Sequence, residues 1–344
     1  MAQQFRKKWA MLIGVNGYEN VTPLKFCRQD ALDLRDTFQT RLGFEQDDIL
    51  TFVEESEFPP QRNRIFHCLG QIKDNKNVSE NDLFVFFFSG HGMIGEHDSK
   101  DYLLPIDAST HNLKHTGIKI EDIADELKDT GCKNIVMFID ACRELVAGTK
   151  GVVSIGEESS EALKRAGIVT FFSCKPKDKS YEIEDLKHGA FTHCILDAID
   201  KGEGKTVSSL ETYLRKQVPV ITQTYKKPTQ QPYAIIEPAE KKDLVIFFSS
   251  VQQKQVEENA DYLLTRIGDL YYEGVLDDEY LNKAVDFLTE VKEKGSLEQE
   301  TKRVILIKKL CANTLNVKAF KTAWEAHERK RVGSTGQNSL GPLT

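Results

Sequence analysis

Asp82-Leu83-Phe84-Val85-Phe86-Phe87-Phe88 leads directly into Ser89-Gly90-His91-Gly92. A run so continuously apolar leaves no wet face, so it belongs in a strand at the centre of a sheet covered on both sides. Residues 134–139 and 167–172 have the same character, and 9–15 reads as a first buried strand. Leu24, Cys27, Ala31, Leu34 and Phe38 recur at helical spacing and Gly43 closes that helix; 48–53 is a second strand, and Pro59-Pro60 opens a helix through Ile65, Leu69 and Ile72. Residues 190–199 and 207–218 read as further helices and 231–236 as a last strand, with Pro238 ending the alternation. Strands crossing over through helices predict an α/β fold with a mostly parallel sheet covered by helices on both faces. Between Arg143 and Lys164 the Gly-, Ser- and Glu-rich sequence reads as one long exposed loop.

From about residue 250 the texture changes to Leu263, Ile267, Leu270, Leu281, Val285, Leu288, Ile305 and Leu310 at helical spacing among many charges. This predicts a small all-α bundle of roughly three to five helices, broken at Gly274 and Gly295. The expected organisation is therefore a catalytic-type domain over 1–245, a helical domain over 250–331 that regulates or binds a protein partner, and a disordered tail over 332–344.

With 344 residues, 40% of them hydrophobic, the chain can bury a large core. Its net charge of −7 is spread out with no long basic block, which argues against nucleic acid as a partner. The start of the chain has neither the apolar length of a membrane span nor a small-residue cleavage site, so no membrane contact and a cytoplasmic location are expected. Seven cysteines with no Cys-x-x-Cys pair argue for reduced thiols, one of which can be a nucleophile. Gly202-Glu203-Gly204-Lys205 lacks the spacing of a phosphate loop and reads as a turn. His111 with His115, or His188 with His193 and Cys194, lack a fourth ligand, so no metal site is expected.

Functional groups of an open parallel sheet gather beyond the carboxyl ends of its strands. One strand ends in Ser89-Gly90-His91-Gly92 and the next in Ile139-Asp140-Ala141-Cys142-Arg143. If the strands are neighbours, thiol and imidazole share one crevice, where His91 can act as general base for Cys142. Gly92 lets the backbone approach a substrate closely, and its amide with that of Cys142 can form an oxyanion hole.

His91 precedes Cys142 by 51 residues, and the two motifs resemble those of the caspase-like cysteine peptidase superfamily of caspases, paracaspases, metacaspases and their bacterial relatives. The likeness extends to Ile13-Gly14-Val15-Asn16, Cys27-Arg28-Gln29-Asp30-Ala31, Tyr102-Leu103-Leu104-Pro105-Ile106-Asp107 and Gly189-Ala190-Phe191-Thr192, and covers roughly residues 8–237. It implies a cysteine endopeptidase acting on proteins or peptides in a regulated proteolytic, cell-death or defence pathway.

Caspases carry Gln where this chain has Asp140; metacaspases and paracaspases have Asp there, and similarity to them implies that Asp140, with Asp30, lines the pocket for the residue before the cut. Two carboxylates would favour Arg or Lys and reject an acidic side chain. Against this, the Cys-His-Ser-Gly continuation of eukaryotic metacaspases is replaced by Cys142-Arg143-Glu144-Leu145, and Lys25 and Arg28 lie near where caspases place an acid-binding arginine, so an acidic preference is a competing reading. Lys150, Lys164 and Arg165 are candidate self-cleavage sites, because long loops are readily nicked. Some relatives need calcium, but Glu96, Asp98, Asp101 and Asp107 lack the spacing of a calcium loop and read as solvated charges. A catalytically silent peptide-binding scaffold is the other alternative; a hydrolase of another class is disfavoured by the missing dinucleotide fingerprint and Gly-x-Ser-x-Gly elbow.

Overall fold

The computed structural model describes residues 5–74, 78–95, 98, 100–141, 144–145, 157–175, 178–247, 250–294, 301–311 and 315–335. The chain divides into two compact units, one ending at Ser249 and the other beginning at Ser250.

The first unit opens with β1 (Lys8–Gly14), α1 (Cys27–Leu42), β2 (Ile49–Phe52), α2 (Arg62–Asp74) and β3 (Leu83–Gly90). A small excursion follows: β4 (Gly92–Ile94), β5 (Asp101–Leu103), α3 (Leu113–Thr116) and β6 (Ile118–Lys119). Then come α4 (Ile120–Asp129), β7 (Asn134–Ala141), β8 (Glu144–Leu145), α5 (Glu157–Ala166) and β9 (Val169–Phe172). The unit ends with β10 (Glu182–Ile183), β11 (His188–Gly189), α6 (Ala190–Asp200), α7 (Val207–Thr224) and β12 (Tyr233–Ile235).

Six strands form the main sheet in the order β12-β9-β7-β3-β1-β2. All neighbours pair in parallel except β12, which runs antiparallel to β9 at the edge. The side chains of β3 alternate between two cores: Phe84, Phe86 and Phe88 pack with Ile65 and Leu69 of α2 and Ile123 and Leu127 of α4. Leu83, Val85 and Phe87 pack on the other face with Leu34 and Phe38 of α1, Ile195 of α6 and Leu210 of α7. Both faces are dry, which is why the period-two signal of a half-exposed strand is absent from the sequence.

Three features depart from the expectations above. The stretch between Arg143 and Lys164 is not one loop: α5 occupies Glu157–Ala166, with Ser159 and Leu163 fully buried, and Glu144–Leu145 pairs with β4. Lys164 and Arg165 therefore sit in the last helical turn, where Lys164 pairs with Glu161 at 2.7 Å. Second, α7 runs past Pro219 to Thr224. The Thr222 hydroxyl lies 3.2 Å from the Val218 carbonyl and 3.1 Å from that of Pro219, a side-chain bond to backbone next to a residue that has no N–H of its own. Third, Trp9 is only half-buried, and its indole N–H donates to Asp82 at 3.0 Å.

That carboxylate ties the start of the chain to the sheet. Asp82 is fully buried and accepts from Arg6 Nε at 2.9 Å, the Lys7 amide at 3.1 Å and the Ser79 amide at 2.9 Å as well as from Trp9. The Arg6 guanidinium is half exposed, so the ion pair itself adds little; the buried donors dominate. Asp82→Ala is expected to destabilise the unit by about 2–4 kcal/mol, read as a lower urea midpoint with unchanged slope. A loss under about 0.5 kcal/mol would contradict this role.

The second unit comprises α8 (Ser250–Tyr272), α9 (Asp278–Lys294), α10 (Thr301–Cys311) and α11 (Val317–Thr335). Leu263, Ile267, Leu270, Phe287, Leu288, Ile307, Phe320 and Trp324 make its core, and the Arg303 guanidinium lies over the Trp324 ring at 4.9 Å. Gly274, at φ 70°, turns the chain between α8 and α9, while Gly295 lies outside the described residues. Helix α11 continues to Thr335, so the expected disordered tail over 332–344 is helical over 332–335; 336–344 are outside the described residues.

Candidate active site

The carboxyl ends of β3 and β7 lie side by side, in register through Ser89↔Asp140 and Gly90↔Ala141. His91 and Cys142 are the residues that follow each strand; Cys142 itself, with Arg143 and Lys150, lies outside the described residues.

The turn at His91 is held from three directions. Its backbone N–H donates to the Tyr18 hydroxyl at 2.7 Å, and its carbonyl accepts from the Leu104 amide at 2.9 Å. The same hydroxyl would lie 2.5 Å from any Cβ at Gly90, so only glycine fits there. The His91 ring stacks obliquely on Tyr18, with centroids 4.9 Å apart, and its Nε2 lies 2.8 Å from the Thr22 carbonyl. A carbonyl can only accept, so Nε2 carries a proton, which in the neutral ring leaves the lone pair of a general base on Nδ1. Gly92 is buried and opens β4, paired to Leu103.

Beneath this rim the structure brings Asp30 and Asp140 together, from α1 and β7. Asp30 is 1% exposed and accepts from the Ser89 hydroxyl at 2.8 Å, His188 Nδ1 at 2.8 Å and the Gly189 amide at 3.2 Å. Asp140 is 5% exposed and accepts from the Ser180 hydroxyl at 2.6 Å and from the hydroxyl and amide of Thr192 at 2.8 and 3.3 Å. The Thr192 amide belongs to the first turn of α6, whose positive end favours an anion there. Gly189 is wedged between the carboxylates: a Cβ would come within 2.6 Å of Asp140 Oδ2 and 3.2 Å of Asp30 Oδ2.

Gln230, wholly buried, extends the support by donating to the Ser173 carbonyl at 2.9 Å and to Ser180 Oγ at 3.2 Å. Glu182 accepts from the Lys25 and Phe26 amides at 2.9 and 2.6 Å, clamping the hairpin of β10 and β11 to the start of α1.

Burial pushes both carboxyls upward. Asp30 is raised to about 6, mainly by loss of solvent, with the neighbouring Asp140 charge adding to the effect and the bonds from His188 and Ser89 opposing it. Asp140 is raised as well, again first by desolvation and against its bonds to Ser180 and Thr192. For Asp30 this corresponds to about 3 kcal/mol of folding stability forgone at neutral pH. The native state binds the extra proton between the ordinary aspartate range and about 6, so this contribution to stability is full below that window and is lost as pH rises through it.

Lys25 and Arg28 do not face this cluster unpaired: Lys25 Nζ lies 3.4 Å from Glu184 and Arg28 Nε 2.7 Å from Glu55. Asp98 accepts from the Tyr102 hydroxyl at 2.7 Å and lies 3.5 Å from Lys119 Nζ, Asp107 lies 3.4 Å from the Arg62 amide, and Glu96 is outside the described residues. No group of three or more His, Cys, Asp or Glu side chains among the described residues is placed to hold a metal ion. No helix among the described residues is long and apolar enough to cross a membrane.

The sequence singled out His91, Gly92, Asp30 and Asp140 and offered His188 only as a discounted metal ligand, while Tyr18, Thr22, Ser180, Thr192 and Gln230 were missed. Their only signal is tertiary, apart from Thr192, which lies inside the Gly189-Ala190-Phe191-Thr192 likeness without having been given a role.

A family model described as the caspase domain matches residues 7–242. Metacaspase-9 of Arabidopsis thaliana is 35% identical over 89 residues, which make up 25% of this chain and 27% of that protein. Metacaspase-1 of Debaryomyces hansenii is 26% identical over 187 residues, 48% of this chain and 40% of the relative. The chain therefore spans less than half the length of either. A crystal structure of a Geobacter sulfurreducens protein matches with a TM-score of 0.50 at 16% identity, covering 71% of this chain and 99% of that one, a likeness of fold alone.

Proposed function

Because the chain belongs to the caspase-domain family, we propose that it is a cysteine endopeptidase whose nucleophile is Cys142, whose general base is His91, and which cuts after Arg or Lys. In this reading the Cys142 thiol gives its proton to His91 Nδ1 and attacks the scissile carbonyl carbon. The Gly92 and Cys142 amides hold the oxyanion, His91 returns the proton to the departing amine, and water then releases the acyl group.

The observation that carries the specificity is the convergence of Asp30 and Asp140, both buried, on Gly189. Two buried carboxylates with no Lys or Arg among their bonding partners in the described residues are an unfavourable arrangement that an incoming guanidinium or ammonium relieves through charge-assisted bonds. An acidic side chain would meet two like charges, and the paired state of Lys25 and Arg28 leaves little to receive it. Self-cleavage with the same specificity falls best to Lys150, since α5 holds Lys164 and Arg165 in helical backbone that an extended-substrate cleft does not accept. The helical unit is assigned to partner binding or regulation.

The test is hydrolysis of an arginyl fluorogenic peptide across pH. The value of kcat/KM should climb as Asp30 ionises near 6, while alkylation of the thiol by a small uncharged reagent should lack that step. A purified chain that hydrolyses no basic peptide, or whose activity survives complete thiol alkylation, overturns the proposal.

A further inference from the structure

His188, which with His193 and Cys194 lacks a fourth metal ligand in the sequence, occupies a position that the peptidase chemistry above does not use. It stands on β11, 13% exposed, with Nδ1 2.8 Å from Asp30 Oδ1 and Nε2 3.1 Å from Asp33 Oδ2. With both carboxyls ionised each can only accept, so an imidazole facing one at each nitrogen donates from both, which makes it an imidazolium.

We infer that His188 is a positioning residue for substrate specificity: a protonated bridge between Asp30 and Asp33 that keeps Asp30 ionised while the pocket stands empty, ready for a cationic side chain. The inference rests on the basic-specificity reading of Asp30 and Asp140. The groups facing the ring are Asp30 and Asp33 from α1, Asp140 from β7 and His193 from α6 at 6.4 Å between centroids; on the paired strand β10, Ile183 stands opposite His188 and Glu182 opposite Gly189. Glu182 is committed to the Lys25 and Phe26 amides. His193 is held below its ordinary range by burial, so near neutral pH it adds no opposing charge. Burial opposes the charge on His188, but its carboxylate neighbours outweigh that, and the ring is held above its ordinary range. The bridge is thus charged in the same pH region where Asp30 must be ionised. Among the described residues its ion-pair partners are Asp30 and Asp33, so its loss should change capture of the basic side chain and leave bond cleavage in the bound complex alone.

The experiment measures kcat and KM of wild type, His188→Ala and His188→Gln with arginyl and leucyl peptides at about pH 6.5 and about pH 8.5, with folding checked by circular dichroism and active sites counted by thiol titration. For His188→Ala, KM for the arginyl peptide should rise about 10-fold at the lower pH and recover to within about 3-fold at the higher, as Asp30 loses its proton unaided. Its kcat, and KM for the leucyl peptide, should stay within about 2-fold. His188→Gln keeps a donor to Asp30 without the charge, and should resemble alanine more than wild type. In wild type, the 15N shifts of both His188 ring nitrogens should report protonation near neutral pH. A KM defect independent of pH, a glutamine variant equal to wild type, or a neutral His188 ring overturns the inference while leaving basic specificity standing. A wild type that prefers the leucyl peptide overturns both.

Discussion

Cys142→Ala is expected to lose at least about 10⁴-fold in kcat against an arginyl peptide, and His91→Ala about as much, because a nucleophile and its base act as one unit. The double variant should be no worse than either single one. This non-additivity is the informative part: two independent losses would multiply, whereas members of one dyad do not. The fold should be indifferent to Cys142→Ala, so melting temperatures within about 2 °C of wild type accompany the loss. The Thr22 carbonyl supports the same mechanism, since it fixes the His91 proton on Nε2. Residual activity above about 10% of wild type in either variant would show that another group does the chemistry.

Asp140→Asn is expected to lower kcat/KM for arginyl peptides by about 10²–10³-fold, equivalent to about 3–4 kcal/mol, mostly through KM. The same substitution removes a buried like charge beside Asp30, and the Asn oxygen can still accept both bonds from Thr192. Thermal stability at neutral pH should therefore hold or rise even as activity collapses, the signature of a site held in an unfavourable state for function. Asp30→Asn should flatten the dependence of stability on pH between about 4 and about 6, where Asp30 exchanges its proton. A variant that loses stability and activity together, or keeps activity toward arginyl peptides, would place these carboxylates in the scaffold instead of the pocket.

The main sheet was legible because its strands are buried on both faces and thus written as unbroken apolar runs, as in 83–88 and 135–139. The smaller sheet of β4, β5, β6 and β8 was not, since strands of two or three residues are too short to show a period of two. Helix α5 was hidden for a related reason: Glu-Glu-Ser-Ser-Glu-Ala-Leu-Lys-Arg-Ala, residues 157–166, carries one strongly apolar residue, Leu163, and a second fully buried position is the polar Ser159. In the site, His91 could be found at a strand end because the sheet fixes that end, whereas Asp30 and Asp140 were legible only through the likeness to metacaspases and paracaspases. Tyr18, Thr22, Ser180 and His188 could not, because each reaches its partner across a loop, over separations such as the 158 residues from Asp30 to His188.

The most direct test of the whole account is a set of fluorogenic peptides that differ only at the residue before the cut, offered to the intact chain as Arg, Lys, Asp and Leu near neutral pH. Two buried carboxylates at that position require Arg and Lys to exceed Leu by about 10²-fold or more in kcat/KM, with Asp uncut. A preference for Asp, or equal cutting of all four, would contradict it.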